Sequence, residues 1–158
     1  MRSLHILLAG LALAAATTTT LAESHVDPAI AGAIKARQAH MQLYAFNLGT
    51  LGGMAQGKID YDADAASTAA SNLAALAHLN GRAYWLPGSD NASVDGTKAL
   101  PAIWADGSDI GAKAAALVEA ADAMNAAAGQ GLEALQAAMG PLGGACGGCH
   151  QSYRQSNN

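Results

Sequence analysis

Near the C-terminus of this 158-residue chain stand two thiols and an imidazole, in the order Cys146-Gly147-Gly148-Cys149-His150. That spacing lets each sulfur add to a haem vinyl group while the imidazole after the second cysteine reaches the iron. On a helix, positions i and i+3 share a face and the next residue lies beside them, so one turn presents both sulfurs and the axial nitrogen. Cys146, Cys149 and His150 are therefore read as the attachment site of one covalently bound haem c, with His150 as the metal ligand. Two other chemistries use the same atoms. A dithiol redox centre belongs at the start of a helix that follows a strand, and this chain carries no strand pattern. A zinc site needs four ligands, and no second Cys or His pair completes one.

The elements that must position these groups are helices. Alanine is abundant, aromatic residues are few and β-branched runs are missing, so four helical segments can be drawn. The first opens at Asp27-Pro28, an N-cap with proline at the first helical position, and runs to about Met54. Its stripe reads Ile30, Ile34, Arg37, Met41, Tyr44, Leu48, Leu51, in bundle-like steps of four and three. An arginine on that inward line needs an anion such as a haem propionate, or else must lift its head to the surface and bury only its stem. A second apolar line, Ala36, Ala39, Leu43 and Phe46, lies on another face and suits contact with a second subunit. The second helix opens at Asp60 or Asp62 and stops at Asn80-Gly81, with its larger apolar residues confined to the last turns.

Between Arg82 and Gly107 the pattern breaks. Prolines, glycines and Asn91 punctuate a loop that holds both tryptophans, Trp85 and Trp104, and such a loop is expected to pack down as a cover. The third helix is drawn from about Ser108 to Ala128 on the stripe Ile110, Ala114, Leu117, Ala121, Met124. The fourth starts near Gly131 and carries Leu132, Leu135, Met139, Leu142, Cys146, Cys149 and Tyr153 on one line, which turns both cysteines toward the core. Pro141 and the neighbouring glycines predict a kink there. His25, His40 and His78 are read as ordinary surface or half-buried histidines.

Residues 1–22 read as a signal peptide: Arg2 is the positive end, Leu4 to Ala16 the apolar core, and Thr20-Leu21-Ala22 the cleavage site. The apolar run is too short for a membrane span. Export agrees with the haem motif and predicts a periplasmic protein, its single domain covering residues 23–158. Both cysteines belong to the motif, so stability must come from a packed core. Loss of Arg2 leaves 7 basic residues against 12 acidic ones, with no basic cluster, so neither nucleic acid nor a membrane surface is an expected partner.

With these features assembled, the chain resembles the cytochrome c′ family over its whole mature length. Cys146-Gly147-Gly148-Cys149-His150 followed by Tyr153-Arg154 matches the family's C-terminal haem motif. Lys35-Ala36-Arg37-Gln38 resembles its Arg-Gln motif, and Leu100-Pro101-Ala102-Ile103-Trp104 its Pro-x-Ile-Trp element. Pro141 and the glycine-rich approach to Cys146 depart from the pattern. The resemblance implies an all-α, antiparallel four-helix bundle with covalently bound haem c in its core.

It also implies roles. Arg37 would contact a propionate, Arg154 would lie over the proximal face beside His150, and Met41 would face the iron's sixth site. In cytochromes c′ that site is open and admits nitric oxide or carbon monoxide; in the related low-spin carriers of the cytochrome c556 type a first-helix methionine fills it. The reading adopted here is the open site, in a homodimer that exchanges electrons with redox partner proteins and is not an enzyme. Six-coordination through Met41 is the alternative, and a thiol-disulfide oxidoreductase using Cys146 and Cys149 the remote one.

Overall fold

The structure, a computed structural model, describes residues 26–156. The expected signal peptide and His25 lie outside that range. Four α-helices make the frame: α1 Pro28–Ala55, α2 Ala63–Ala77, α3 Ile110–Ala127 and α4 Leu132–Tyr153. Successive helices pack side by side and α4 closes the ring against α1, which is the expected antiparallel four-helix bundle.

Each start has a local cause. The Asp27 carboxylate accepts a hydrogen bond from the Ala29 N–H at 2.7 Å ahead of Pro28, and Asp62 accepts one from Ala65 N–H at 2.8 Å. Gly57, at φ 67°, turns the chain after α1, and Gly131, at φ 123°, does so before α4; both are backbone shapes that a side chain would strain. The hydroxyl of Tyr61 locks the α3–α4 turn by donating to the Ala128 carbonyl at 2.8 Å and accepting from Gly131 N–H at 3.0 Å.

The core is built from Leu51, Met54, Leu73, Met124, Leu135 and Leu142 among many alanines. Helix α2 buries Ala66, Ala69, Ala70 and Ala74 beside Leu73, a face its sparse large residues do not announce. Alanine lets backbones approach closely, and it carries little signal in a hydrophobic pattern. Asn72 donates to the Asn47 side-chain oxygen at 3.0 Å and so ties α2 to α1.

Three expectations need correction. The second helix ends at Ala77, capped by His78, and residues Gly81–Tyr84 form a separate 3₁₀ turn whose cap is Asn80. Helix α4 runs without interruption through Pro141, which sits on the exposed side. The missing amide there costs only one bond, to the carbonyl four residues back. Ala114, placed on the core stripe of α3, is exposed, and the buried line runs through Ala120, Ala121 and Met124.

The loop between α2 and α3 packs down as expected. A second 3₁₀ turn, Pro101–Trp104, brings Ile103 against Tyr153, with Trp85, Trp104, Ile110 and Cys149 around them. The C-terminus clamps it: Leu100 N–H donates to the Tyr153 carbonyl at 3.0 Å and Gln155 N–H to Lys98 at 2.8 Å.

Candidate functional site

The site lies on the seam between α1 and α4. At one end the two helices touch: a Cβ on Gly52 would lie 3.7 Å from Met139 Cε, and Gln136 Nε2 donates to the Ala55 carbonyl at 2.8 Å. From Gly52 back to Met41 is eleven residues, and from Met139 on to His150 is also eleven. Antiparallel helices rise equally per residue, so Met41 comes level with His150, and Tyr44 with Gly147 beside Cys146. At this end the seam is loosely filled. Met41 is 37% exposed, Cys146, Cys149 and His150 are half-buried, and a Cβ on Gly143 or Gly147 would meet nothing within 4 Å.

That arrangement fits a flat group held by two sulfurs. Cys146 and Cys149 occupy adjacent turns of α4 and are free thiols. Cys149 packs against Ala99, Ile103 and Tyr153, and Cys146 is near enough to Tyr44 of α1 to raise its pKa. Burial raises both thiol pKa values; Cys146 raises that of Cys149 further, and the Lys113 ammonium partly offsets this. The pair also stands in the last turns of α4, where the helix dipole disfavours a thiolate. A dithiol catalyst needs the opposite, a depressed pKa at a helix start. Among the described residues no group of three or more His, Cys, Asp or Glu is arranged to hold a metal ion by itself.

Burial and, after it, the charge of Arg154 lower the pKa of His150 and so favour its neutral form. A neutral imidazole is the form that binds iron. The Arg154 backbone amide donates to the His150 carbonyl at 3.2 Å, and the side chain is exposed.

Arg37 differs from both of its expected states. It is only 4% exposed, so it does not reach for the surface. Its Nη1 donates to the Tyr84 carbonyl (3.2 Å) and Ser89 Oγ (2.9 Å), and its Nη2 to the Ser89 carbonyl (2.8 Å) and Thr97 Oγ1 (2.9 Å). The guanidinium also lies 4.7 Å from the Trp85 ring centroid. All these partners are uncharged, and among the described residues Arg37 has no carboxylate. It pins the covering loop to α1 and keeps an unneutralised positive charge, whose burial lowers its pKa.

His40, read as ordinary, is a second tie. Its Nε2–H donates to the Leu76 carbonyl at 3.1 Å, which leaves Nδ1 to accept the Tyr84 hydroxyl at 2.8 Å. Its ring stacks on Tyr44 at 4.7 Å between centroids. The loop residues Tyr84, Ser89 and Thr97 were not legible as partners because they meet α1 only through long-range packing. The Arg-Gln pair was the one signal, and Gln38 does donate to the Gly96 carbonyl at 2.8 Å.

A four-helix bundle that presents two thiols and a half-buried imidazole on its closing seam has the frame of a bundle-type haem c protein. The chain belongs to the cytochrome c′ family, whose model matches residues 32–154, and proteins of this family carry a covalently attached c-type haem. It is 46% identical over 124 residues to cytochrome c-554 of Cereibacter sphaeroides, covering 78% of this chain and 81% of that protein. The fold superposes on cytochrome c′ from Rhodobacter Spheriodes with a TM-score of 0.78 and 38% identity, over 81% of this chain and 98% of that one. Two variants of cytochrome c′ from Alcaligenes xylosoxidans, solved with carbon monoxide and with nitric oxide bound, are 30% and 29% identical, with TM-scores of 0.69 and 0.70. They cover 80% and 81% of this chain and 97% and 98% of their own.

Proposed function

We propose that this protein works in the periplasm as an electron carrier and a reversible binder of nitric oxide or carbon monoxide, with an open sixth position on the iron. The partial exposure of Met41, level with His150 across a loosely filled seam, carries this reading. Bound haem supplies the Fe(III)/Fe(II) couple and a coordination site. Cys146 and Cys149 hold it by thioethers, and His150 holds the iron on the α4 side. Met41, partly exposed and flexible, is the apolar wall on the α1 side. The uncompensated charge of Arg37 attracts a propionate, with Nε–H as the donor not committed to the loop. Arg154 tunes the basicity of His150 through its charge.

Among the described residues no helix is long and apolar enough to cross a membrane. Leu43 and Phe46, 52% and 74% exposed on α1, support the proposal that a second copy packs there to make a homodimer. Redox partner proteins would meet the haem edge. The same register also favours the second reading, in which the Met41 sulfur ligates the iron and the protein is a low-spin carrier.

The visible spectrum of the ferric holoprotein tests this. A high-spin spectrum, with carbon monoxide taken up on reduction, supports the open site. A low-spin spectrum that Met41→Ala abolishes establishes methionine ligation in its place.

A further inference from the structure

The chain has four tyrosines, and three of them spend their hydroxyl protons inside the fold. Tyr61 donates to Ala128, Tyr84 to His40 and Tyr153 to Asp109. Among the described residues the Tyr44 hydroxyl has no partner within the protein, and its oxygen is open to solvent, not sealed in the core. Its ring is half-buried against the core, and one face lies on His40, which is itself anchored to Leu76 and Tyr84. The phenol is therefore held in place while its donor is left over.

Where it is held matters. Tyr44 follows Met41 by one turn on the same line of α1, and its level on α4 is that of Gly147, next to Cys146. Burial, Tyr84 and Cys146, in that order, push the phenol pKa up to about 12. It keeps its proton at any pH at which the bundle would work. Packing alone would be served as well by phenylalanine.

We propose that Tyr44 is a specificity residue of the haem pocket, whose free O–H donates a hydrogen bond to a diatomic ligand held on the Met41 side of the iron. This rests on the open-site reading above. A donor on that side favours ligands that gather negative charge when bound, so it discriminates between diatomics where an all-apolar wall would not. His40 acts through the stacked ring as a positioning residue.

The test uses haem-loaded wild type and Tyr44→Phe. Pyridine haemochrome assays first establish equal covalent haem in both; a haemless wild type overturns the functional reading itself, a separate failure. The infrared C–O stretch of the ferrous carbon monoxide adduct is then recorded in light and heavy water. The proposal expects a stretch that shifts with solvent isotope in the wild type. In Tyr44→Phe it expects a stretch at higher frequency with no isotope shift, and nitric oxide release roughly three- to tenfold faster, the range one net hydrogen bond sets. Identical stretches in the two proteins overturn it, as does haem-loaded wild type that binds no carbon monoxide. Should Tyr44→Phe fail to fold, the isotope effect in the wild type decides, and its absence overturns the proposal.

Discussion

Met41 on α1 and His150 on α4 stand at one level of an antiparallel pair whose register is fixed eleven residues away by Gly52 against Met139. Cys146 and Cys149 would hold the haem from α4, with the His150 imidazole beside them and the Met41 thioether across the seam. The first prediction follows from the partial exposure of Met41. Met41→Ala leaves the ferric spectrum high-spin and speeds carbon monoxide binding, because a wall is shortened and no bond is lost. Stopped-flow mixing measures the rate, and an unchanged rate would remove Met41 from the ligand's path.

Arg37→Leu has two effects that can be separated. Buried Ser89 and Thr97 lose their donor and the covering loop loses its pin, so stability falls by about 2–4 kcal/mol. The haem potential also falls, since a nearby positive charge that favours the reduced iron is gone. Arg37→Lys keeps the charge without the fork, so it recovers the potential better than the melting temperature. Chemical denaturation and redox titration check the pair.

Acid should loosen the bundle through His40. Burial lowers its pKa below 6.5, and the hydrogen bond to the Leu76 carbonyl opposes this only in part. The unfolded chain therefore takes up the proton first as pH falls. Stability is full above about pH 7 and declines as pH drops through 6.5 toward the folded value. His40→Gln flattens that slope in denaturation curves of holoprotein measured between pH 5 and 7.5; an equally steep decline in the variant would assign it to other groups.

Phe46→Glu places a charge in the middle of the exposed α1 patch. Sedimentation should show a dimeric wild type and a monomeric variant whose haem spectrum is unchanged. A monomeric wild type at micromolar concentration contradicts the dimer.

The haem motif was legible because covalent attachment demands fixed residue types within five positions, with no help from the rest of the chain. Helix α1 was legible from Asp27, Pro28 and its stripe. The end of α2 was not, because Asn80 and Gly81 are equally good at stopping a helix and at starting the 3₁₀ turn that follows. Pro141 misled for a related reason: its steric cost is local, and burial of Leu135, Leu142 and Tyr153 on both sides carries the helix through it.

The sequence by itself determined the cofactor chemistry, the number of helices and the face of α4 that bears the sulfurs, since all three depend on spacing along one segment. Only the tertiary structure decided what Arg37 and His40 touch. Their partners lie 36 to 60 residues away, at Leu76, Tyr84, Ser89 and Thr97, and no periodicity connects them. It also brought Met41 level with His150 and left Tyr44 with a proton to give. Those relationships come from the register of two helices separated by most of the chain, and register is set by packing.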